Sequence, residues 1–179
     1  WFDRLDIEVY APIFANRRWI GLLALGARLS GQRLNDADLI TVSALANQTA
    51  VALENARLVE NLLKLNNQLS QAYRDLDAAR VTALYSADAV YGAPGGGGFS
   101  IGQGHIASSF GSFFDYVRAD SGYLELRFRF VERFRSPTLA SDAGYFWLRT
   151  VGRDSATTPG VGKFVTVMAR DTSGRWRFI

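Results

Sequence analysis

The segment Leu124-Glu-Leu-Arg-Phe-Arg-Phe-Val-Glu-Arg-Phe-Arg135 decides the fold of the C-terminal part of the chain, because apolar and polar residues alternate along it. Successive side chains of a β-strand point to opposite faces, so this period of two predicts a strand with one buried face. The predicted buried face carries Leu124, Leu126, Phe128 and Phe130. The opposite face carries Glu125, Arg127, Arg129, Val131 and Arg133. We expect its arginines, together with Arg135, to be solvated, with Glu125 and Asp142 as counter-charges. The alternative is that these arginines bind an acidic partner or phosphates.

Further strands are predicted on both sides of this segment. Residues 145–151 and 161–169 are apolar on both faces, which is typical of strands in the middle of a sheet or at an interface. A turn at Asp171-Thr-Ser-Gly174 leads into a last strand at residues 176–179. Upstream, the pattern predicts two short paired strands, at residues 89–91 and 99–101. It also predicts a short amphipathic helix at Ile106–Val117. Helices followed by a run of antiparallel strands predict an α+β domain.

The middle of the chain has helical periodicity without Pro or Gly from Asn35, a predicted N-cap, to Tyr85. A helix of this length indicates either a coiled coil or two helices in succession, and Asp75 and Asp77 suit a helix junction. The heptad-like stretch Leu62–Ala83 can form a two-stranded coiled coil. Alternatively, its apolar stripe covers the sheet of the C-terminal domain.

Composition narrows the classes of function. Twenty Lys and Arg residues nearly balance seventeen Asp and Glu residues, giving a net charge of +3, so no nucleic-acid partner is expected. The chain has no cysteine, which excludes disulfides, thiolate metal sites and cysteine nucleophiles and favours a cytoplasmic location. No apolar run reaches the roughly 18 residues needed to cross a bilayer, so no membrane partner is expected.

The N-terminal part of the chain resembles a known sensor family. Residues 5–27 predict two strands around a turn. The segments that carry the resemblance are Ile20-Gly-Leu-Leu-Ala-Leu25, Leu34-Asn-Asp-Ala-Asp-Leu39 and Ala44-Leu-Ala-Asn-Gln-Thr-Ala-Val-Ala-Leu-Glu-Asn-Ala-Arg57. They are similar to the C-terminal half of a GAF domain, its last two strands and exit helix. This resemblance covers residues 1–60 and implies a signalling fragment that lacks the family's ligand-binding helices, so no nucleotide or chromophore is expected there.

Four segments within residues 61–179 carry a second resemblance. They are Ala83-Leu-Tyr-Ser-Ala-Asp-Ala-Val90, Ile101-Gly-Gln-Gly-His-Ile106, Gly162-Lys-Phe-Val-Thr-Val167 and Gly174-Arg-Trp-Arg-Phe-Ile179. They are similar to the nuclear-transport-factor-two-like (SnoaL-like) superfamily. The resemblance implies three helices against a strongly curved antiparallel sheet, which together form a cone with an apolar pocket. It also implies a homodimer that forms through the sheet. Members include isomerases, cyclases, dehydratases and non-catalytic modules, so the fold alone does not choose the function.

Two side chains are candidates for acid–base catalysis. The ketosteroid isomerases of this superfamily carry a general-base aspartate just before a proline, but the residue before Pro94 here is Ala93, which cannot accept a proton. Asp88 is a second candidate, with a structural role at a turn as its alternative. His105 is the only histidine, and its alternative is a solvated position in the first turn of a helix. No cluster of residues has the spacing of metal ligands, and no cofactor is expected.

Aromatic residues are the candidates for ligand binding. They would line a pocket for a small apolar or aromatic ligand, and phenol groups would supply hydrogen bonds. Parity along the strand places Tyr145, Trp147 and Arg149 on one face. If that face is concave, Arg149 would meet an anionic ligand, and Phe146, Leu148 and Thr150 on the other face would meet the partner subunit. The reverse assignment is the alternative. The predicted ligand-binding residues are Tyr85, Tyr91, Phe110, Phe114, Trp147, Arg149 and Met168.

These observations favour a non-catalytic module that binds a small molecule or assembles as a homodimer, attached to a sensor fragment. The missing catalytic base and the lone histidine motivate this hypothesis. The alternative is a cyclase, isomerase or dehydratase that uses Asp88 or His105 as its acid or base.

Overall fold

A computed structural model describes residues 6–15, 17–94, 98–119, 122–152 and 159–179. The chain divides into two compact units, Trp1–Val59 and Glu60–Ile179. The elements, in chain order, are β1 (Ile7–Ala15), β2 (Arg18–Gly26), α1 (Asp36–Arg74), α2 (Ala78–Thr82), β3 (Val90–Gly92), β4 (Phe99–Ile101), α3 (Gln103–Ala119), β5 (Tyr123–Arg135), β6 (Leu139–Val151), β7 (Gly160–Arg170) and β8 (Trp176–Phe178).

The first unit contains an antiparallel hairpin of β1 and β2, as predicted, and the beginning of α1. Leu5 and Asn16, which belong to the predicted hairpin, lie outside the described residues. One face of β1 is buried through Ala11 and Ile13, which cluster with Val42, Ala46 and Ala50 of α1. The spacing of four between these helical residues keeps them on one side of the helix, so a small apolar core forms.

Asn35 caps the start of α1, as the sequence predicted. Its side-chain oxygen accepts a hydrogen bond from the N–H of Asp38 (3.0 Å), and the Asp38 carboxylate accepts one from the N–H of Asn35 (2.8 Å). This reciprocal pair satisfies two N–H groups at the helix start. The backbone hydrogen bond from Asn35, together with the guanidinium of Arg28, lowers the pKa of Asp38.

The region with helical periodicity forms two helices. Helix α1 ends at Arg74, and the short helix α2 follows it. Leu76 takes the left-handed conformation (φ 53°) between them, and the N–H groups of Leu76 and Asp77 bond to the carbonyls of Tyr73 and Ala72. This pattern is a Schellman motif with leucine in the position that usually holds glycine. Asp77 then caps α2, since its side chain accepts a hydrogen bond from the N–H of Arg80, which confirms the predicted junction.

We expect Leu76→Gly to be less destabilising than Leu76→Ala, by about 1 kcal/mol. Both variants lose a buried side chain, but only glycine adopts a positive φ without strain. Urea unfolding followed by circular dichroism measures the difference. At Leu69, which is buried at a regular position within α1, the order should reverse and Ala should be the better replacement. Equal or reversed stabilities of the two Leu76 variants would contradict strain at this residue.

The second unit is built on a curved antiparallel sheet with strand order β5-β6-β7-β8. A β-bulge interrupts β5, because Phe130 pairs with Gly144 whereas Glu132 pairs with Ala143, so Val131 is an extra residue. One extra residue reverses the faces for the rest of the strand. Arg133 therefore lies opposite Asp142, on the inner face of the sheet. The prediction that Arg133 and Arg135 share the face of Arg127 and Arg129 is wrong for this reason, whereas the predicted counter-charge, Asp142, is confirmed.

The two inward-turned arginines hold a carboxylate that is fully buried. Asp142 is 0% exposed, and it accepts hydrogen bonds from Arg133 (3.1 and 3.2 Å) and forms an ion pair with Arg135 (2.7 Å). Asn66 of α1 donates a further bond to Asp142 (3.3 Å). We name Asn66, Arg133, Arg135 and Asp142 the inner ionic cluster, which links helix and sheet within this unit.

Helices cover the inner face of the sheet. The second half of α1 buries an apolar stripe, and the ring of Tyr73 meets the rings of Phe110 and Phe114 of α3 edge-on at 5.5 Å each. The stripe therefore packs inside this unit, which agrees with the second of the two interpretations above. Its buried members are Leu62, Leu65, Leu69 and Ala72. Across the described residues, no helix has both the length and the apolar run that a bilayer crossing requires.

Candidate functional site

A cavity of about 510 Å³ lies between the inner face of the sheet and the helices of the second unit. Most of its lining is apolar or aromatic. β8 pairs with β7 only over Met168–Arg170, and the preceding residues Lys163–Val167 border the cavity. The other lining residues are Leu69, Tyr73, Tyr85, Val90, Tyr91, Gly92, Ala93, Pro94, Phe99, Leu126, Phe128, Phe146, Leu148, Phe178 and Ile179.

Pairing between strands explains the sheet wall of this cavity. Leu126 and Phe128 of β5 lie opposite Leu148 and Phe146 of β6, and residues that are directly opposite share a face. Gly162 of β7 lies opposite Phe146, and a Cβ on this glycine would meet the Phe146 ring at 2.4 Å. The glycine therefore leaves the space that the ring occupies in the wall.

Three tyrosines bring phenol groups to the cavity. Tyr73 is buried, and its phenol interacts with those of Tyr91 and Tyr85. Tyr85 is also buried, and its ring lies 6.2 Å from the ring of Tyr91 in an edge-on arrangement. Burial, reinforced by the neighbouring phenols, raises the pKa of Tyr73 and of Tyr85, and burial also raises the pKa of Tyr91. All three phenols are therefore protonated at neutral pH and can donate hydrogen bonds.

The raised tyrosine pKa values predict a loss of stability at alkaline pH. A phenol ionises near pH 10.0 in the unfolded chain but at higher pH in the folded one. The contribution of the protonated phenol to the free energy of unfolding is therefore complete below about pH 10. It is lost as the pH rises towards the folded-state pKa. We expect Tyr85→Phe to lose less unfolding free energy than the parent between pH 9 and pH 11, as measured by urea unfolding. A parallel decline of parent and variant would contradict this assignment.

The predicted ligand-binding residues occupy three different places. Tyr85 and Tyr91 line the cavity. Phe110, Phe114 and Met168 are at most 2% exposed and belong to the core next to the cavity, without being among its lining residues. Trp147 and Arg149 pair with Arg127 and Glu125, on the outer face of the sheet. The inner face of β6 thus carries Phe146 and Leu148, which is the second of the two parity assignments left open by the sequence.

The predicted acid–base candidates lie away from the cavity lining. Asp88 is exposed and accepts a hydrogen bond from the hydroxyl of Ser86 (2.8 Å). His105 is exposed in the first turn of α3, and its Nδ1 lies 2.9 Å from the carbonyl oxygen of Ile101. Within the described ranges, no group of three or more His, Asp or Glu side chains is arranged to hold a metal ion.

Several lining residues were missed by the sequence analysis. Tyr73 follows Leu69 by four residues, so the helical stripe itself could have placed it beside the sheet. Leu126 and Phe128 were assigned correctly to a buried face of β5, but not to a cavity. Phe146 and Leu148 could have been assigned by pairing β6 with β5, because direct neighbours across a ladder share a face.

Of the comparisons with known proteins, the comparison with solved structures supports the fold described above. No family model matches the sequence, and no curated protein sequence matches it either. A solved nuclear-transport-factor-2-like protein with a cystatin-like fold from Novosphingobium aromaticivorans is similar, with a TM-score of 0.62 and 16% identity over 81% of this chain and 86% of that chain. A protein of the nuclear transport factor 2 superfamily from Salmonella enterica has a TM-score of 0.57 and 14% identity, over 70% and 88% of the two chains.

A third similar structure is a ketosteroid isomerase-like protein from Erwinia carotovora. Its TM-score is 0.54 with 16% identity, over 66% of this chain and 88% of that chain. Identities this low establish a shared fold but not a shared activity. The chain therefore contains the curved-sheet, cone-shaped fold of the nuclear-transport-factor-2-like proteins.

Proposed function

We propose that the second unit is a non-catalytic module that binds a small, neutral, apolar or aromatic molecule in its cavity. The observation that carries this proposal is the cavity lining, which combines apolar walls with three protonated phenols and contains no carboxylate or imidazole among the described residues. The exposed positions of Asp88 and His105 favour binding over acid–base catalysis, since a general base must reach the proton that it removes.

The lining also defines the chemistry of the ligand. A charged molecule would lose its hydration on entering this apolar space without gaining a partner of opposite charge, so a neutral molecule is favoured. The pairing of Lys163 with Tyr145 places the lysine side chain on the outer face of the sheet. The phenols and the hydroxyl of Thr166, which pairs with the inward-facing Asp142, are then the polar side-chain groups of the wall. A carbonyl or hydroxyl oxygen of the ligand would accept hydrogen bonds from them. About 510 Å³ is within the size range of drug-sized ligand sites.

The neutral fluorescent probe N-phenyl-1-naphthylamine tests this proposal directly. We expect its fluorescence to increase on binding, and small neutral aromatic competitors to displace it. Leu148→Trp fills part of the cavity and should weaken binding at least tenfold. Val161→Trp adds the same side chain on the outer face, at a position that is 68% exposed, and should leave binding unchanged. Equal affinity of the two variants for the probe would contradict the proposed cavity site.

A turnover assay separates binding from catalysis. Neutral ketones, epoxides and polyketide-like substrates are incubated with the protein and with its Asp88→Asn and His105→Gln variants. No turnover above the buffer rate is expected. Turnover that either variant abolishes would replace the proposal with the acid–base alternative.

We also propose that the protein assembles as a homodimer through the outer face of the sheet. An exposed apolar patch supports this proposal, because a second copy would cover large apolar side chains on the outer face. They are Phe134, Leu139, Val165 and Val167. Light scattering should give twice the chain mass, and Leu139→Glu, a change at an outer-face residue that does not line the cavity, should reduce it to the monomer mass. The GAF-like sensor role of residues 1–60 and a cytoplasmic location belong to the same proposal, on the sequence arguments given above.

A further inference from the structure

The strand β5 lies at an open edge of the four-stranded sheet. It runs over 13 residues, and among the residues that the structure describes its only pairing strand is β6. The backbone N–H and C=O groups on the other side of β5 therefore form a row with no ladder partner there. Such an edge is a template for the addition of another strand.

A groove of about 280 Å³ runs beside this edge, between β5 and the helix α1. Its strand side is formed by Leu124–Arg127, and its helix side is entirely polar. The helical residues are spaced by three, four and seven, so they share one face of α1. They are Asn67, Ser70, Gln71 and Arg74. A polar floor beside an open strand edge suits an extended polypeptide better than an apolar ligand.

Positive charge accumulates along the same edge. Arg127 is 74% exposed and lies 3.9 Å from Glu125, whereas that carboxylate is already bonded to Arg149 at 2.8 Å. Arg129 and Arg74 are exposed and form no ion pair within the described part of the chain. The edge thus presents three cationic side chains. Of the two acidic residues of β5, Glu125 is bonded to Arg149, and Glu132 lies beyond the β-bulge.

Charge also disfavours a second copy of the same edge as the occupant. Antiparallel pairing of β5 with β5 centred on Phe128 would place Arg127 of one copy opposite Arg129 of the other. Like charges directly opposite one another in a ladder are destabilising. An occupant with acidic side chains at alternate positions would instead pair with both arginines.

We propose that the edge of β5 and the adjoining polar groove bind an extended, acidic peptide segment of a partner protein by strand addition. Backbone hydrogen bonds to β5 supply affinity, and acidic residues on the outer face of the added strand contact Arg127 and Arg129. Polar residues on the inner face of the added strand contact the helix side of the groove, where Arg74 can form an ion pair with a further acidic residue of the peptide. This site is separate from the cavity, so it goes beyond the ligand-binding function proposed above.

The test uses fluorescein-labelled peptides and the full chain, with binding followed by fluorescence anisotropy. The probe is an eight-residue peptide of alternating Thr and Glu. We expect measurable binding, a loss of at least tenfold when Lys replaces Glu, and a similar loss when alternate backbone nitrogens are methylated. The methylated peptide keeps its charge but cannot complete the ladder. Equal affinity of the methylated and parent peptides would overturn strand addition and leave only general charge attraction.

Variants of the protein locate the site. The double variant Arg127→Glu, Arg129→Glu should weaken binding at least tenfold, whereas Arg127→Lys, Arg129→Lys should retain most of it. Arg18→Glu with Arg57→Glu makes the same change in net charge at exposed positions of the first unit and serves as the matched control. An unchanged circular dichroism spectrum and an unchanged thermal unfolding transition verify that each variant is folded. Full peptide affinity in the Arg127→Glu, Arg129→Glu variant would overturn the proposal.

Discussion

Replacing Asp142 with alanine is expected to lower the free energy of unfolding by about 3–5 kcal/mol. The carboxylate is fully buried and is the acidic member of the inner ionic cluster, so its removal leaves Arg133 and Arg135 without the charge that neutralises them. The variant also lacks the carboxylate that accepts a hydrogen bond from the side chain of Asn66, a residue that is 6% exposed. Urea unfolding measures the change.

A matched variant distinguishes this effect from the loss of any acidic residue. Asp115 of α3 pairs with Arg118 at 2.6 Å, but its side chain is 75% exposed. Solvent screening makes such pairs weak, so Asp115→Ala should change stability far less than Asp142→Ala. Similar losses in the two variants would show that burial does not set the strength of the cluster.

The second large effect is expected at Gly144, which lies opposite the β-bulge. A Cβ at this position would meet the carbonyl oxygen of Arg129 at 2.1 Å and the Cα of Phe130 at 3.1 Å. Both atoms belong to the backbone, so the two strands would have to separate. We expect Gly144→Ala to destabilise the protein by about 3 kcal/mol, at the upper end of what overpacking produces.

The control for Gly144→Ala is the same replacement at another glycine, where the expected change in stability has the opposite sign. Gly111 lies within α3, and a Cβ there meets nothing within 4 Å. Gly111→Ala should therefore stabilise the protein by about 0.5–1 kcal/mol, because alanine favours the helix. Thermal unfolding of the two variants gives the comparison. A Gly144→Ala protein as stable as the parent would mean that the bulge region adapts to the added methyl group.

Local pattern was sufficient for the elements with strong periodicity. The alternation in Leu124–Phe130 identified the strand and its buried face, and Asp77 marked the helix junction. The predicted strand nevertheless starts at Tyr145, whereas β6 starts at Leu139. Ser, Asp and Gly are weak strand formers, so Ser141, Asp142 and Gly144 masked its first half.

The remaining features depended on contacts that are distant in sequence. The reversal at Val131 needs the register against β6. The apolar pair Phe130-Val131 and the charged pair Glu132-Arg133 interrupt the alternation, but they do not show which residue is extra. The faces of Trp147 and Arg149 likewise depended on which side of the sheet the helices cover. Period-two parity groups residues by face but does not say which face is concave, and only the pairing of β6 with β5 resolves the choice.

The extra residue at Val131 divides one strand into two functional halves. Before it, inward side chains such as Phe128 shape the cavity, and after it, Arg133 and Arg135 anchor the carboxylate of Asp142. The determinants of ligand shape and the determinants of stability therefore occupy separate stretches of a single strand. Directed evolution of ligand preference at Leu126 and Phe128 can consequently proceed without eroding the anchor that keeps the scaffold folded.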